Sequence, residues 1–314
     1  MKAIVQDTYG PSEVLRLEEV LTPVVKDGAV LIGVHAAGVN PLDWHFMRGT
    51  PYLARMAMGR SKPKVRVRGV DVAGRVEAVG KGVKSLRPGE DVFGLCDGSF
   101  AEYATALEDH LIGKPASMTY EQAAAVPVAA LTALQGLRAG SVHSGRRVLI
   151  NGASGGIGMF AVQIAKSYGA EVTGVCSSRN VDLVRSIGAD HVIDYTRDDF
   201  TRAGARYDVI LDNAGNHSLS AVRGALAVGG TLVYNSGASM RRIAMAQLLW
   251  RLGRNVRMFS TQRNHDDLAA IGRLIESGKL RSVIDRTYPL AQTAAAIAYV
   301  EAGHARGKVV VTVG

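Results

Sequence analysis

Cysteine is scarce in this chain. Among 314 residues there are two, Cys96 and Cys176, and neither stands in a CxxC or histidine-rich setting, so a disulfide framework and a zinc-finger spacing are both excluded. Long apolar runs are missing as well. The stretch from Ala123 to Leu134 is interrupted by Pro127 and falls short of the roughly 17 to 25 residues that cross a bilayer as a helix. Met1-Lys-Ala-Ile-Val5 moves straight into strand-like alternation, with no apolar signal core and no small-residue cleavage site, so a cytoplasmic protein is expected. There is no low-complexity tract and no internal repeat, and the eight histidines show neither an HExxH pattern nor a paired spacing.

Acidic residues are absent from two stretches of a chain whose net charge is +9. Arg55 to Arg68 holds six Arg or Lys, and Ser239 to Arg263 holds Arg241, Arg242, Arg251, Arg254, Arg257 and Arg263. Such clusters can attract nucleic acid or anionic lipid. The plainer reading is a solvated basic rim that steers an anionic cofactor, and nucleic acid is not an expected partner.

What is present suits two domains, each large enough for its own core. Residues 1–122 read as strands and turns, with alternating runs at Ala29 to His35, Val70 to Val79, Asp91 to Leu95 and Phe100 to Ala106. From Tyr120 an Ala-rich helical run continues to Leu137, and residues 123–262 then alternate apolar strands with helices. The strands are Arg147 to Asn151, Glu171 to Cys176, His191 to Asp194, Asp208 to Asp212 and Thr231 to Tyr234. That alternation predicts βαβ units in a parallel sheet, an α/β fold. Residues 263–314 carry a helix, a strand near Val283 to Tyr288, a helix at Ala291 to Glu301 and a last strand at Lys308 to Val313, and are expected to return to the first domain.

The strongest local signal is Gly152-Ala-Ser-Gly-Gly-Ile-Gly158. Three spaced glycines alone are weak evidence. Here Val148-Leu-Ile150 leads in, and Ile157, Phe160, Ala161, Ile164 and Ala165 follow at helical spacing, which gives strand, tight turn and helix in the order that a dinucleotide pyrophosphate requires. Ser154, Gly155, Gly156 and Ile157 are the expected phosphate contacts. NAD-selective folds place a carboxylate about 20 residues on, at the end of the second strand, for the ribose 2′-OH. This chain instead has Ser177-Ser-Arg179-Asn180. A hydroxyl at Ser177 and a guanidinium at Arg179 suit a 2′-phosphate, so NADPH is the expected cofactor.

Several motifs together resemble the zinc-free quinone oxidoreductases related to zeta-crystallin, within the medium-chain dehydrogenase/reductase superfamily. They are Gly38-Val-Asn-Pro-Leu-Asp43, Gly69-Val-Asp-Val-Ala-Gly74 with Val79-Gly80, Arg87-Pro-Gly-Glu-Asp-Val92, Phe100-Ala-Glu-Tyr103, Ala123-Ala-Ala-Val-Pro127 with Leu131-Thr-Ala133, Asn151 to Gly158, Gly188-Ala-Asp190, Tyr207-Asp-Val209 and Gly303-His-Ala-Arg-Gly-Lys308. The resemblance spans the whole chain. It implies a GroES-like, mainly β substrate domain joined to a Rossmann doubly wound parallel sheet, and a homodimer paired along an edge of that sheet.

Zinc-using members of the superfamily carry a cysteine where this chain has Asn40 and a His-Glu pair where it has Val70-Asp71. Ala125 to Thr132, where a third ligand would fall, contains no Cys, His, Asp or Glu, so neither catalytic nor structural zinc is expected. Without a Lewis acid the substrate must bring its own activation, as quinones and α,β-unsaturated carbonyls do. By the resemblance, Asn40 orients nicotinamide or substrate, Asp43 fixes its loop and Thr132 contacts the nicotinamide. Tyr52 is either a proton donor or a packing aromatic. Tyr195 lies along the adenosine phosphate, Asn213 and Ser236 face the cofactor from strand ends, and His304, Ala305 and Arg306 form a cofactor-contacting turn. Two alternatives stay open: an enoyl-thioester or polyketide-type enoyl reductase, and a protein that binds NADPH without turnover and uses its basic patches on RNA or a partner.

Overall fold

The computed structural model describes residues 1–52, 55–235, 240–253, 255–303 and 305–314, without the side chains at 57, 240 and 242. Ser236 and His304, both expected near a cofactor, therefore lie outside the described residues. The chain divides into two compact units, Met1–Ala129 with Arg263–Gly314, and Ala130–Gln262.

The first unit is built on β-structure. Strands β1 (Lys2–Gln6) and β2 (Leu15–Glu19) pair antiparallel. A seven-stranded sheet contains β3 (Ala29–Val39), β4 (Asp71–Val79), β5 (Asp91–Leu95), β6 (Tyr103–Leu107), β7 (Leu111–Gly113), β14 (Ile284–Pro289) and β15 (Lys308–Thr312). Its order is β14-β15-β3-β4-β5-β7, with β6 also paired to β3. The terminal strand β15 is antiparallel to β3, with Val309 opposite Val39. Its Val309-Val310-Val311 run is buried, and Val309 and Val311 pack into one cluster with Ile32, Val34, Val72, Phe100 and Ile297. Burying each such side chain contributes roughly 1.5–3 kcal/mol.

This unit is not purely β. Helices α1 (Pro41–Arg48), α2 (Arg55–Met58) and α3 (Tyr120–Ala124) fall within or at the end of the segment read from sequence as strands and turns. Helix α1 starts because Asn40 is extended at the N-cap, Pro41 occupies the first helical position, and the Asp43 carboxylate accepts the Asn40 backbone N–H at 2.7 Å. Helix α3 starts in a reciprocal box in which Gln122 N–H donates to Thr119 Oγ1 at 3.2 Å and Thr119 N–H to Gln122 Oε1 at 3.0 Å. The helical run expected over Tyr120 to Leu137 is two helices, since Pro127 cannot continue α3 and instead opens α4 (Pro127–Ala139). Helices α9 (His265–Glu276) and α10 (Thr293–Glu301) complete the unit.

The second unit is a six-stranded parallel sheet in the order β10-β9-β8-β11-β12-β13. Its strands are β8 (Arg147–Asn151), β9 (Glu171–Cys176), β10 (His191–Asp194), β11 (Tyr207–Asp212), β12 (Leu226–Tyr234) and β13 (Val256–Arg257). Helices α5 (Gly156–Ser167), α6 (Val181–Ser186), α7 (Leu219–Gly224) and α8 (Met240–Arg251) alternate with them. Strands covered on both faces need continuous apolar side chains, and Val148, Leu149 and Ile150 are fully buried. The chain winds outward from β8 through β9 to β10, then resumes with β11 on the other side of β8. That reversal places a switch point, where doubly wound sheets bind ligands, at the carboxyl ends of β8 and β11.

Candidate functional site

At the switch point the chain supplies backbone rather than charge. Gly152 leaves β8 with φ +81°, a left-handed conformation that glycine adopts without strain. Gly155 is the N-cap of α5, and Gly155 N–H donates to Gly152 O at 3.1 Å. Gly156, Ile157 and Gly158 form the first turn, whose N–H groups have no acceptor within their own helix. A Cβ on Gly158 would stand 2.1 Å from Gly152 O and 2.8 Å from the Ala153 Cα, so only glycine lets α5 start this close to the loop. The positive end of the helix dipole adds to these N–H groups a field that favours an anion.

Side chains surround the loop on the strand ends. Asn180 Nδ2 donates to Ser154 Oγ at 3.0 Å and to Ser177 Oγ at 3.2 Å, joining the glycine loop to the end of β9. Asn151 Nδ2 donates to Asp212 Oδ1 at 2.8 Å, across the β8 to β11 pairing, and to Asn216 Oδ1 at 2.9 Å. Buried Asp212 Oδ2 and Asn213 Nδ2 have no partner among the described residues. Such orphaned groups at strand carboxyl ends fit a polar ligand, because leaving them bare costs free energy. Arg179 is exposed just past β9, and Tyr195 is 54% exposed. Thr132 is buried, with its Oγ1 2.9 Å from Thr261 Oγ1.

Sequence reading missed one carboxylate in this region. Asp194 ends β10 directly opposite Cys176, the last residue of β9. It accepts the hydroxyls of Ser178 and Thr196 and the Thr196 N–H. The Ser178 hydrogen bond, ahead of the rest, holds the Asp194 carboxyl below the usual carboxylate range.

In the first unit the expected residues sit in a different kind of site. Asn40 is buried, at 3% exposure, where β3 gives way to α1. Asn40 Nδ2 donates to Asp71 Oδ2 at 2.9 Å, and the Lys308 ammonium donates to Asn40 Oδ1 at 2.5 Å and to Asp71 Oδ2 at 3.3 Å. Asp71 Oδ1 accepts the Val128 N–H at 2.8 Å, which caps the start of α4. Burial raises the Asp71 carboxyl above its ordinary range, against the opposing pull of Lys308. Asp43 is buried beside this group, and desolvation pushes its carboxyl up to about 7 although the Asn40 N–H favours the ionised form.

Tyr52 belongs to the surface: it is 74% exposed, and the Arg55 guanidinium lies 4.6 Å from its ring centroid. Ala305 packs against the core of the first unit, and Arg306 donates its backbone N–H to Asp285 Oδ2 at 3.1 Å. Sequence reasoning did not single out Lys308 as a site residue. The available signal was a lysine placed immediately before the continuous apolar run Val309-Val310-Val311.

A glycine loop at the switch point of a parallel sheet is the arrangement by which doubly wound folds bind a dinucleotide. Residues 26–116 match the alcohol dehydrogenase GroES-like domain, and residues 187–311 match the family described as zinc-binding dehydrogenase. The mouse NAD(P)H oxidoreductase RTN4IP1, mitochondrial, is 35% identical over 357 residues, covering 100% of this chain and 89% of the mouse protein. The NADPH-dependent alkenal/one oxidoreductase, chloroplastic, of Arabidopsis thaliana is 36% identical over 331 residues, covering 99% of this chain and 79% of the plant protein. Among solved structures, the quinone oxidoreductase from Coxiella burnetii superposes with a TM-score of 0.89 at 31% identity, covering 100% of this chain and 99% of that one.

The chain belongs to the quinone oxidoreductase family of the medium-chain dehydrogenases/reductases. It is an oxidoreductase that uses a nicotinamide cofactor. Among the described residues no helix is long and apolar enough to cross a membrane, and no three His, Cys, Asp or Glu side chains group as a metal site would need.

Proposed function

We propose that the chain uses NADPH to reduce a conjugated carbonyl, a quinone or an α,β-unsaturated ketone or aldehyde, without zinc. The observation that carries this reading is the Asn40–Asp71–Lys308 group. At the positions where zinc-using relatives have ligands, this chain has an amide and a carboxylate bonded to a buried ammonium, and a fixed cation there repels a dication. When bound, the nicotinamide supplies hydride. Substrate that accepts it at the β-carbon carries an enolate oxygen, and the Asn40 amide is the hydrogen-bond donor for that charge. Asp43 holds the turn that presents Asn40. The exposure of Tyr52 favours a surface aromatic over a proton donor, with solvent providing the proton.

Ser154, Gly155, Gly156 and Ile157 hold the pyrophosphate in this reading, Ser177 and Arg179 the 2′-phosphate, and Tyr195 the adenosine. Thr132 and Asn213 contact the nicotinamide half, and the turn at Ala305 and Arg306 borders the cofactor. Asp194 already accepts three hydrogen bonds from Ser178 and Thr196, so its pull on a ribose 2′-OH is weakened and the Arg179 side governs selection. The free, buried cysteines suit a reducing compartment such as the cytoplasm. A homodimer paired at an edge of the parallel sheet is expected, measurable by light scattering.

One assay series tests the reading. Oxidation of NADPH and of NADH is followed with a quinone, a small enone and an enoyl thioester, before and after dialysis against a chelator. Turnover of the enone or quinone, a lower KM for NADPH and indifference to chelation are expected. A clear NADH preference, which Arg179→Gln should move the enzyme towards, would overturn the cofactor assignment. Absence of turnover on all three substrates would overturn the activity.

A further inference from the structure

An asparagine amide is ordinarily ambiguous, since its oxygen and NH₂ group exchange places on a half-turn. At Asn40 the neighbours remove the ambiguity. Lys308 has only donors to offer, and Asp71 as a carboxylate offers only acceptors. The amide oxygen must therefore face the ammonium, 2.5 Å away, and the NH₂ group the carboxylate, 2.9 Å away. The reversed amide would set a carbonyl against a carboxylate and an NH₂ against an ammonium, in a place where Lys308 and Asp71 are at most 3% exposed and water cannot relieve the conflict. One hydrogen of the NH₂ is used on Asp71. The group that remains for a ligand is a single N–H donor.

The ions are themselves held by the fold. Asp71 opens β4 opposite Gly38 of β3, and its second oxygen is tied to the Val128 N–H. Lys308 opens β15, and its backbone N–H donates to Val283 O at 2.9 Å. Asn40 thus sits between two side chains anchored on different strands. We propose that Lys308 and Asp71 are positioning residues that fix the polarity of the Asn40 amide, making this site a donor to a carbonyl or enolate oxygen and never an acceptor. The specificity that follows is for substrates presenting an oxygen acceptor, with hydroxyl donors disfavoured. This inference rests on Asn40 being a ligand-contacting residue.

Two variants separate amide polarity from folding. Lys308→Gln keeps a donor towards Asn40 Oδ1 but leaves the buried Asp71 carboxyl without its cation. Its Tm should fall, by roughly 10 °C, while kcat/KM for an enone falls less than about tenfold at a temperature where it is folded. Lys308→Met with Asp71→Asn removes both charges, so Tm should return towards wild type. The new amide at 71 then faces Asn40 with a donor, the imposed polarity is gone, and kcat/KM should fall about a hundredfold or more, the scale of a lost oxyanion donor. In protein labelled with ¹⁵N-asparagine, the Asn40 NH₂ signal, identified by its loss in Asn40→Asp, should move further in the double variant than in Lys308→Gln. Activity that follows Tm across the two variants, or an NH₂ signal unmoved in the double variant, overturns the proposal. Full kcat/KM in Asn40→Ala would instead overturn the role of Asn40 itself.

Discussion

The two units solve the problem of a polar site in opposite ways. At the glycine loop of the second unit, the groups proposed to bind are backbone N–H donors exposed by residues without side chains, beside two buried polar atoms with no partner among the described residues. In the first unit the proposed working group is a single amide, surrounded by ions that satisfy one another. The first arrangement fails when volume is added. The second fails when charge is changed.

The largest expected effect is therefore steric and belongs to the loop. Gly158→Val would drive a Cβ into backbone atoms that cannot move independently, Gly152 O at 2.1 Å and the Ala153 Cα at 2.8 Å. A destabilisation of about 1–3 kcal/mol or more is expected, together with loss of detectable NADPH binding by calorimetry. Gly155→Ala sharpens the contrast. Its Cβ would meet only Gly152 O, at 3.4 Å, and Gly155 has an ordinary extended φ of −79°. That variant should keep the wild-type Tm and lose NADPH affinity, because the new methyl lies where the phosphate must approach. If both variants bind NADPH normally, the loop is a turn and not a cradle.

An intermediate effect belongs to the ionic site. Burial raises the Asp43 carboxyl to about 7, above the roughly 3.9 of an unfolded chain. The folded state therefore holds the proton more tightly than the unfolded state. The stabilisation linked to that proton is complete below about pH 4 and is lost as the pH rises to about 7. Asp43→Asn has no proton to lose, so relative to wild type its stability should improve by a few kcal/mol between pH 4 and pH 8. Denaturant titrations at pH 5 and pH 8 measure this difference. An unchanged difference between variant and wild type would mean that Asp43 is ionised throughout. Gly155→Ala should keep the wild-type pH slope, since it touches no titrating group.

The same contrast decides what could be read in advance. The parallel strands and the loop are local: Val148-Leu-Ile150 is a buried run, and the glycines follow it at once. The ionic site is not local. Asn40, Asp71 and Lys308 lie far apart along the chain and meet only through the β3–β4 and β3–β15 pairings, which no periodicity reveals. Resemblance could point to Asn40 and Asp43, but not to the lysine that orients the amide. Asp194 escaped for the same reason, since it approaches the end of β9 from the neighbouring strand. Helix α1 was hidden by its brevity: eight residues give little periodic signal, and its start is written in Asn40, Pro41 and Asp43, which also read as a family motif.

The smallest expected effect tests whether the ionic site depends on its rim. Arg48, at the end of α1, makes a two-pronged ion pair with Glu301 at the end of α10. Their side chains are 39% and 22% exposed, and pairs of this kind contribute at most about 1 kcal/mol. Helix α1 is held more firmly by Met47, which is fully buried in the core of the first unit, and by the Asp43 hydrogen bond at its other end. Arg48→Ala should therefore lower Tm by only about 2–4 °C and leave kcat/KM for an enone essentially unchanged. A loss of activity as large as that expected of Lys308→Met with Asp71→Asn would change the account. The tilt of α1 as a whole, and not the polarity of one amide, would then set the catalytic geometry of the first unit.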